Sequence, residues 1–448
     1  MEVFMHEAEL LARIQFAITA GFHFLYPPMS IGLGLLLVFM EWRFLKTKDV
    51  LYSKMVRFWT KVFALTFAVG VATGVVMEFE FGTNWATYSR YVGDIFGSPL
   101  AAEALFAFFL ESVFLGVLLF GWNRVSPRMH FVSTICVAAG ATLSAFWIIV
   151  ANSWMQTPAG FEIVTENGVT RSVITDFWAM VFNPSTIDRF THVISAAWLT
   201  GAFLVLSISA WYLLKKKHLE FAKSSMRFAL GLVVFASLFQ LFTGHNSAIG
   251  VAKNQPAKLA AFEGHFQTAP GDMYLFGVVD TQNKKVDGLA VPNMLSWMVY
   301  FDPNKPIVGL NDIPPGDQPP VQLTFQAYHV MISIGMLMIL LALIGLYQWR
   351  RGRLFETRWL LWAFVPSFAL PHVANLTGWI AAEVGRQPWA VQGILRTSDA
   401  ISKVVTSGQV VFSMIMFTTI YLILGALFVF LLIRKIKHGP DDPASQSN

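Results

Sequence analysis

The sequence predicts an all-α integral membrane protein of nine transmembrane helices, with the N-terminus outside and the C-terminus cytoplasmic. Three observations carry this expectation. Of 448 residues, 55% are hydrophobic and only 13% charged, and the mean hydropathy is +0.55; soluble domains carry about 25% charged residues. Nine stretches approach the roughly 20 apolar residues that a bilayer crossing requires: 14–42, 56–80, 98–122, 130–152, 188–214, 226–249, 323–349, 359–383 and 408–434. Lys and Arg crowd alternate connections, which the positive-inside rule assigns to the cytoplasm. The net charge of +5 is too small and scattered to suggest a nucleic-acid partner. The single cysteine, Cys136, excludes an internal disulfide, an iron–sulfur cluster and a cysteine zinc site. Metal chemistry therefore falls to His, Met and carboxylates.

The elements follow in order. Residues Met1–Glu7 lack a basic leader and do not read as a cleaved signal. Span 1 holds His23, and Pro27 and Pro28 deprive the carbonyls of His23 and Phe24 of helical partners, which bends or kinks the span. Connection 43–61 carries six Lys and Arg, from Arg43 to Lys61. Span 3 holds Glu103 and Glu111, about 80° apart on a regular helix. Arg124 and Arg128 precede span 4, and 153–187 forms the next outside connection. Span 5 holds His192 about one turn deep, and Lys215, Lys216, Lys217, Lys223 and Arg227 follow it. Span 6 carries His245 late in its course. The long stretch 250–322 has loop signals at Gln255-Pro256, Asp280 to Lys285 and Pro314-Pro315, with room for a short helix over 256–266. Span 7 holds His329 and Met331, the latter about two turns deep. Arg350, Arg351, Arg353 and Arg358 lead into span 8, which holds His372 and Glu383. Arg434, Lys435 and Lys437 follow span 9, and 439–448 reads as a polar, disordered tail. The domain reading is therefore 1–249 for spans 1–6, 250–322 outside, 323–434 for spans 7–9 and 435–448 as cytoplasmic tail.

Ionisable groups inside spans are costly and mark function by default. His192 with Met331 has the composition of an axial pair for a low-spin haem, while a single imidazole or carboxylate, from His23 or Glu383, leaves iron open to oxygen. Each residue also has a plain alternative. A lone intramembrane His commonly bonds a neighbouring helix, Met fills cores, and Glu383 with Arg386 makes an ordinary i, i+3 pair. Glu103 and Glu111 line a polar track or are separately bonded. Physical reading ends at a redox or ion-handling membrane protein.

Several strings go further. Gly378-Trp379-Ile380-Ala381-Ala382-Glu383-Val384-Gly385-Arg386-Gln387-Pro388-Trp389 resembles the GWxxxExGRQPW signature of subunit I of the cytochrome bd-type quinol oxidases. Gly82-Thr83-Asn84-Trp85, Val92-Gly93-Asp94-Ile95-Phe96-Gly97, Ala151-Asn152-Ser153-Trp154-Met155-Gln156 and Lys258-Leu259-Ala260-Ala261-Phe262-Glu263 match in order along the chain. The resemblance implies a quinol:oxygen oxidoreductase of the bacterial cytoplasmic (inner) membrane. His192 and Met331 then match ligands of a low-spin haem b. Glu383 matches the carboxylate of a high-spin haem b. His23 matches the ligand of haem d, which a third haem b replaces in some members; the high-spin haems exchange places in some members too. Lys258 and Glu263 match quinol-binding positions of the outer Q-loop, here of the short-loop subgroup, which includes cyanide-insensitive members. Glu103, Glu111, Ser144 and Asn152 match a proton route, and Trp379 and Arg386 lie near the haems. His329 stands where the family commonly has arginine, which implies a lower or more pH-dependent low-spin potential. Implied partners are a second integral subunit, a small single-span subunit, membrane lipid, ubiquinol or menaquinol, and O2. Two rivals stand beside this: a haem b membrane anchor of a quinone-linked dehydrogenase, which leaves the Glu383 string unexplained, and a metal-free proton-coupled transporter using Glu103 and Glu111.

Overall fold

The computed structural model describes residues 2–441. Met1 and residues 442–448 of the expected tail lie outside the described residues. Among the described residues, nine helical segments are long and apolar enough to cross a membrane. Span 1 is Glu2–His23 followed by Pro27–Thr47; spans 2 to 9 are Val50–Gly82, Gly93–Phe120, Pro127–Gln156, Thr186–Leu214, Leu219–Asn254, Val321–Arg350, Arg358–Val384 and Ser407–His438. The ends run several residues past the sequence expectation, because helix continues beyond the apolar window.

Local chemistry explains the breaks. The first helix stops at His23, and Pro27, lacking an N–H, opens the second helix. Asp49 caps span 2 by accepting from the Leu51 amide at 2.9 Å, and Ser126 caps span 4 by accepting from Met129 at 3.2 Å. Each such cap contributes about 1 kcal/mol. Span 3 carries a π-helical turn at Glu103–Phe108, beginning on its first acid.

Packing ranks the spans. The apolar window of span 5 is 83% buried, while that of span 9 is 11% buried and that of span 3 is 17%. Span 5 is therefore the central post, and spans 3 and 9 present apolar flanks such as Phe106, Phe109, Phe412 and Leu422. Spans 1 and 5 cross at Gly32 and Gly201, where a Cβ on Gly32 would lie 2.5 Å from the Ala197 carbonyl oxygen. Small residues allow this approach. Spans 5 and 7 each pack against spans 6 and 8, which makes a four-helix unit with 5 and 7 on its diagonal.

One end of the bundle gathers the Lys- and Arg-rich connections. The other carries the long connections, which hold more structure than a loop reading predicts. Residues 161–174 form a hairpin, β1 (Phe161–Glu166) with β2 (Val169–Ile174). Between spans 6 and 7, the helix Pro256–Glu263 is followed by a second hairpin, β3 (Met273–Asp280) with β4 (Lys285–Val291). The turn residues 281–284 are what the loop signal at Asp280 to Lys285 detected.

Candidate functional site

The loop end gathers an unusual density of buried charge. Glu383, at the end of span 8, accepts from Asn152 and Gln156 of span 4 at 3.2 Å each. It is ion-paired with Arg386 at 2.5 Å and with Arg189 of span 5 at 3.8 Å. Arg189 also donates to Asn152, and its guanidinium lies 5.7 Å from the Trp379 ring centre. Lys258, on the loop helix, donates to Gln156 and, at 2.8 Å, to Gln255. Burial drives the Lys258 pKa well down, with Arg189 adding to that. One carboxylate is thus faced by three basic side chains. The Nε–H groups of Arg189 and Arg386 and the hydroxyl of Tyr88 are buried without partners, and Tyr88 is within electrostatic reach of Arg386 and Glu383. Buried donors require acceptors, and three orphaned donors around a cationic surplus fit the carboxylates of an anionic group such as a haem.

Two glycines mark a second feature. His192 of span 5 and Met331 of span 7 belong to diagonal helices. At the level of each, an intervening helix carries glycine: a Cβ on Gly244 would sit 3.4 Å from His192 Cε1, and one on Gly378 would sit 2.8 Å from Met331 Sδ. Each glycine lets the tip of the His or Met side chain lie close against the neighbouring helix. The helices begin at Thr186 and Val321, so His192 and Met331 lie about 9 and 15 Å along them, less evenly than the sequence depths suggest. The Gln240 amide nitrogen lies 3.2 Å from both ring nitrogens of His192, and the Thr243 hydroxyl stands 3.3 Å from Nδ1, so span 6 holds the imidazole in place.

His23 is set similarly. Its Nδ1 lies 2.9 Å from the Thr73 hydroxyl, and that hydroxyl donates to the Val69 and Gly70 carbonyls. The ring must then donate through Nδ1–H, leaving the Nε2 lone pair for a metal. Gly74 gives the ring room, since a Cβ there would meet Cε1 at 3.3 Å.

The remaining predicted residues separate into groups. Ser144 donates to Glu103 at 2.7 Å, while Glu111 packs its Cβ against the Gly140 backbone of span 4. Asn152 joins Glu383 instead of this pair. Lys258 and Glu263 share one short helix but face different ways. Glu263 turns to Tyr328 of span 7 and the Tyr274 amide of β3, and burial raises its pKa to about 8. His329 contacts two carbonyls: Nδ1 lies 2.9 Å from the Phe325 oxygen and Nε2 2.9 Å from that of Tyr274, so the ring links β3 to span 7. Sequence reasoning missed Arg189, Gln156, Gln255 and Tyr88. Arg189 stands three residues before His192, about one helical turn away, and a cation at the start of an apolar span was the available signal.

This geometry defines a helical membrane protein with a His and a Met on diagonal helices and a cationic cluster around a span-end glutamate. The family model for cytochrome bd terminal oxidase subunit I matches residues 11–440, and the chain belongs to that family. It is 44% identical to cytochrome bd ubiquinol oxidase subunit 1 of Bacillus subtilis (strain 168), over 96% of this chain and 94% of that protein. It is 37% identical to cytochrome bd-II ubiquinol oxidase subunit 1 of Escherichia coli (strain K12), over 97% of this chain and 98% of that one. The bd oxidase structure from Geobacillus thermodenitrificans superposes with a TM-score of 0.91 at 31% identity, covering 98% of this chain and all of that chain.

Proposed function

We propose that this chain is the haem-bearing catalytic subunit of a respiratory quinol oxidase of the bacterial inner membrane. It oxidises quinol at the loop end and reduces O2 to water with protons drawn from the basic end. The observation that carries this is the diagonal pair His192 and Met331 with glycine at the tip of each. The positive-inside rule puts the basic end in the cytoplasm and the loop end outside. Protons are then released on one side and consumed on the other, which builds a proton motive force without a pump.

His192 and Met331 would hold a low-spin haem b. Glu383 and His23 would hold the two high-spin haems, one of type b and the other d or a third b. Bound there, iron porphyrin supplies electron transfer and, where one axial position stays open, oxygen reduction. Arg189, Arg386 and Trp379 bind and orient the anionic edge. Lys258 anchors a quinol oxygen, and Glu263 accepts a quinol proton; a carboxyl titrating near neutrality suits that task. Glu103 with Ser144, and Glu111 beyond them, hold protons moving toward the haem pocket. A second integral subunit covers part of the apolar flanks of spans 3 and 9, with lipid over the rest.

The visible spectrum and pyridine haemochrome of the purified complex, with and without carbon monoxide, test this reading. Several haems are expected, part of them binding carbon monoxide when reduced. A preparation free of porphyrin, or one whose iron is wholly closed to carbon monoxide, overturns it.

A further inference from the structure

Glu80 takes no part in the chemistry described so far, yet it is the most enclosed acid in the bundle's loop-end half. It lies near the end of span 2 with no solvent exposure. Its Oε1 accepts from the Thr19 hydroxyl at 2.6 Å, and its Oε2 has no hydrogen-bond partner. Among the described residues no cation is paired with it. The groups around it are neutral: Thr19 and Gln15 from span 1, and Tyr421 from span 9. Asn84, beyond span 2, donates to the Gln15 carbonyl at 3.0 Å, and Ser413 of span 9 donates to it at 3.1 Å. Tyr421 is itself 2% exposed, with its ring stacked on Phe22 at 4.8 Å.

Position gives this acid its meaning. Thr19 stands one turn before His23 on span 1, and Thr73, the partner of His23, stands two turns before Glu80 on span 2. The bonds Thr19–Glu80 and His23–Thr73 are therefore successive rungs on one seam between two helices. An unpaired charge in such surroundings is poorly solvated. It responds strongly to any charge nearby, and a unit charge about 10 Å away shifts a proton equilibrium roughly tenfold at an effective dielectric of about 20.

We propose that Glu80 is a redox-linked proton site. Its carboxylate binds one proton when an electron, delivered from quinol, arrives at the iron held by His23, and it returns that proton when the electron leaves. The carboxyl O–H bond forms as the proton leaves a hydronium ion of the solvent, which becomes water, and it breaks when the proton is returned to water. This rests on the reading of His23 as an iron ligand.

Redox-difference infrared spectroscopy of the purified holoenzyme tests it. Reduction should generate a carbonyl stretch of a protonated carboxyl that is absent in Glu80→Gln. Thr19→Val keeps the acid but removes its hydrogen-bond donor, so the band should move to higher frequency. That variant keeps the test open should Glu80→Gln not assemble. Difference spectra of Glu80→Gln and Thr19→Val that match the wild type overturn the proposal. A His23→Ala holoenzyme with undiminished high-spin absorbance overturns the ligand reading instead, and is told apart because the Glu80→Gln spectrum would still lose its band.

Discussion

The two ends of the bundle each bury charge, and they do so in opposite styles. At the basic end, Glu41 and His130 are 1% and 2% exposed and lie 2.6 Å apart. The second carboxylate oxygen accepts from Thr134 at 2.5 Å, and His130 Nε2 lies 3.2 Å from the Leu118 carbonyl oxygen. Every polar side-chain atom of the pair has a partner. At the loop end, Glu383 keeps 30% of its side chain exposed, three basic groups face it, and buried donors lack acceptors. The closed cluster ties spans 1, 3 and 4 together. The open one is shaped around something the polypeptide does not itself provide. Completeness of hydrogen bonding, more than burial or charge, separates a structural staple from a binding site.

Four experiments break or sharpen this contrast. The largest effect is expected at the His192 and Met331 pair: His192→Ala and Met331→Leu should each abolish the low-spin absorbance and lower quinol-driven turnover a hundredfold or more, since even indirect support of a ligand is worth about 10–100-fold. Next, Glu41→Gln should lower stability by about 3–5 kcal/mol, because it leaves a buried partner uncompensated. Thermal unfolding should show that loss while the haem spectrum stays intact; a changed spectrum would dissolve the distinction between the ends. Third, Glu263→Gln should leave the spectrum unchanged and slow quinol oxidation by roughly a hundredfold. With its pKa raised to about 8, the Glu263 carboxyl is neutral below that pH and able to accept a proton above it. Wild-type quinol oxidation should therefore rise as pH climbs through about 8, and the Gln variant should lose that rise. The smallest effect is expected at His329→Gln, which removes one anchor of β3 and should loosen the hairpin by about 1–3 kcal/mol, visible as faster amide exchange over 273–291.

Much of the fold was legible because bilayer crossing imposes length and apolarity on every span. All nine were evident, and Pro27-Pro28 announced the break after His23. The hairpins 161–174 and 273–291 were not, because short strands in long connections give no period longer than their turns. At the site, His23, His192, Met331 and Glu383 stood out as ionisable or soft residues inside apolar runs. Glu41 and Glu80 escaped notice although each sits within or at the edge of a predicted span. His130 opens span 4 and reads there as an ordinary end residue. Which acid meets which cation depends on how helices far apart in sequence pack, as with Arg189 and Glu383, and one sequence does not encode that in any local pattern. His329 illustrates this too: one ring nitrogen lies against the Phe325 carbonyl of its own helix and the other against the Tyr274 carbonyl of β3, a contact no local pattern announces.

The widened turn at Glu103–Phe108 separates two acids that share one rod. An ordinary helix would lock the bearing of Glu103 to that of Glu111, so neither could be aimed without disturbing the other. A single surplus amino acid uncouples them, letting Glu103 reach Ser144 while Glu111 stays against Gly140. Over eight regular steps the two acids would stand about 80° apart; a wider turn advances less per residue and changes that bearing. In this span, aim is governed by residue count as much as by residue type.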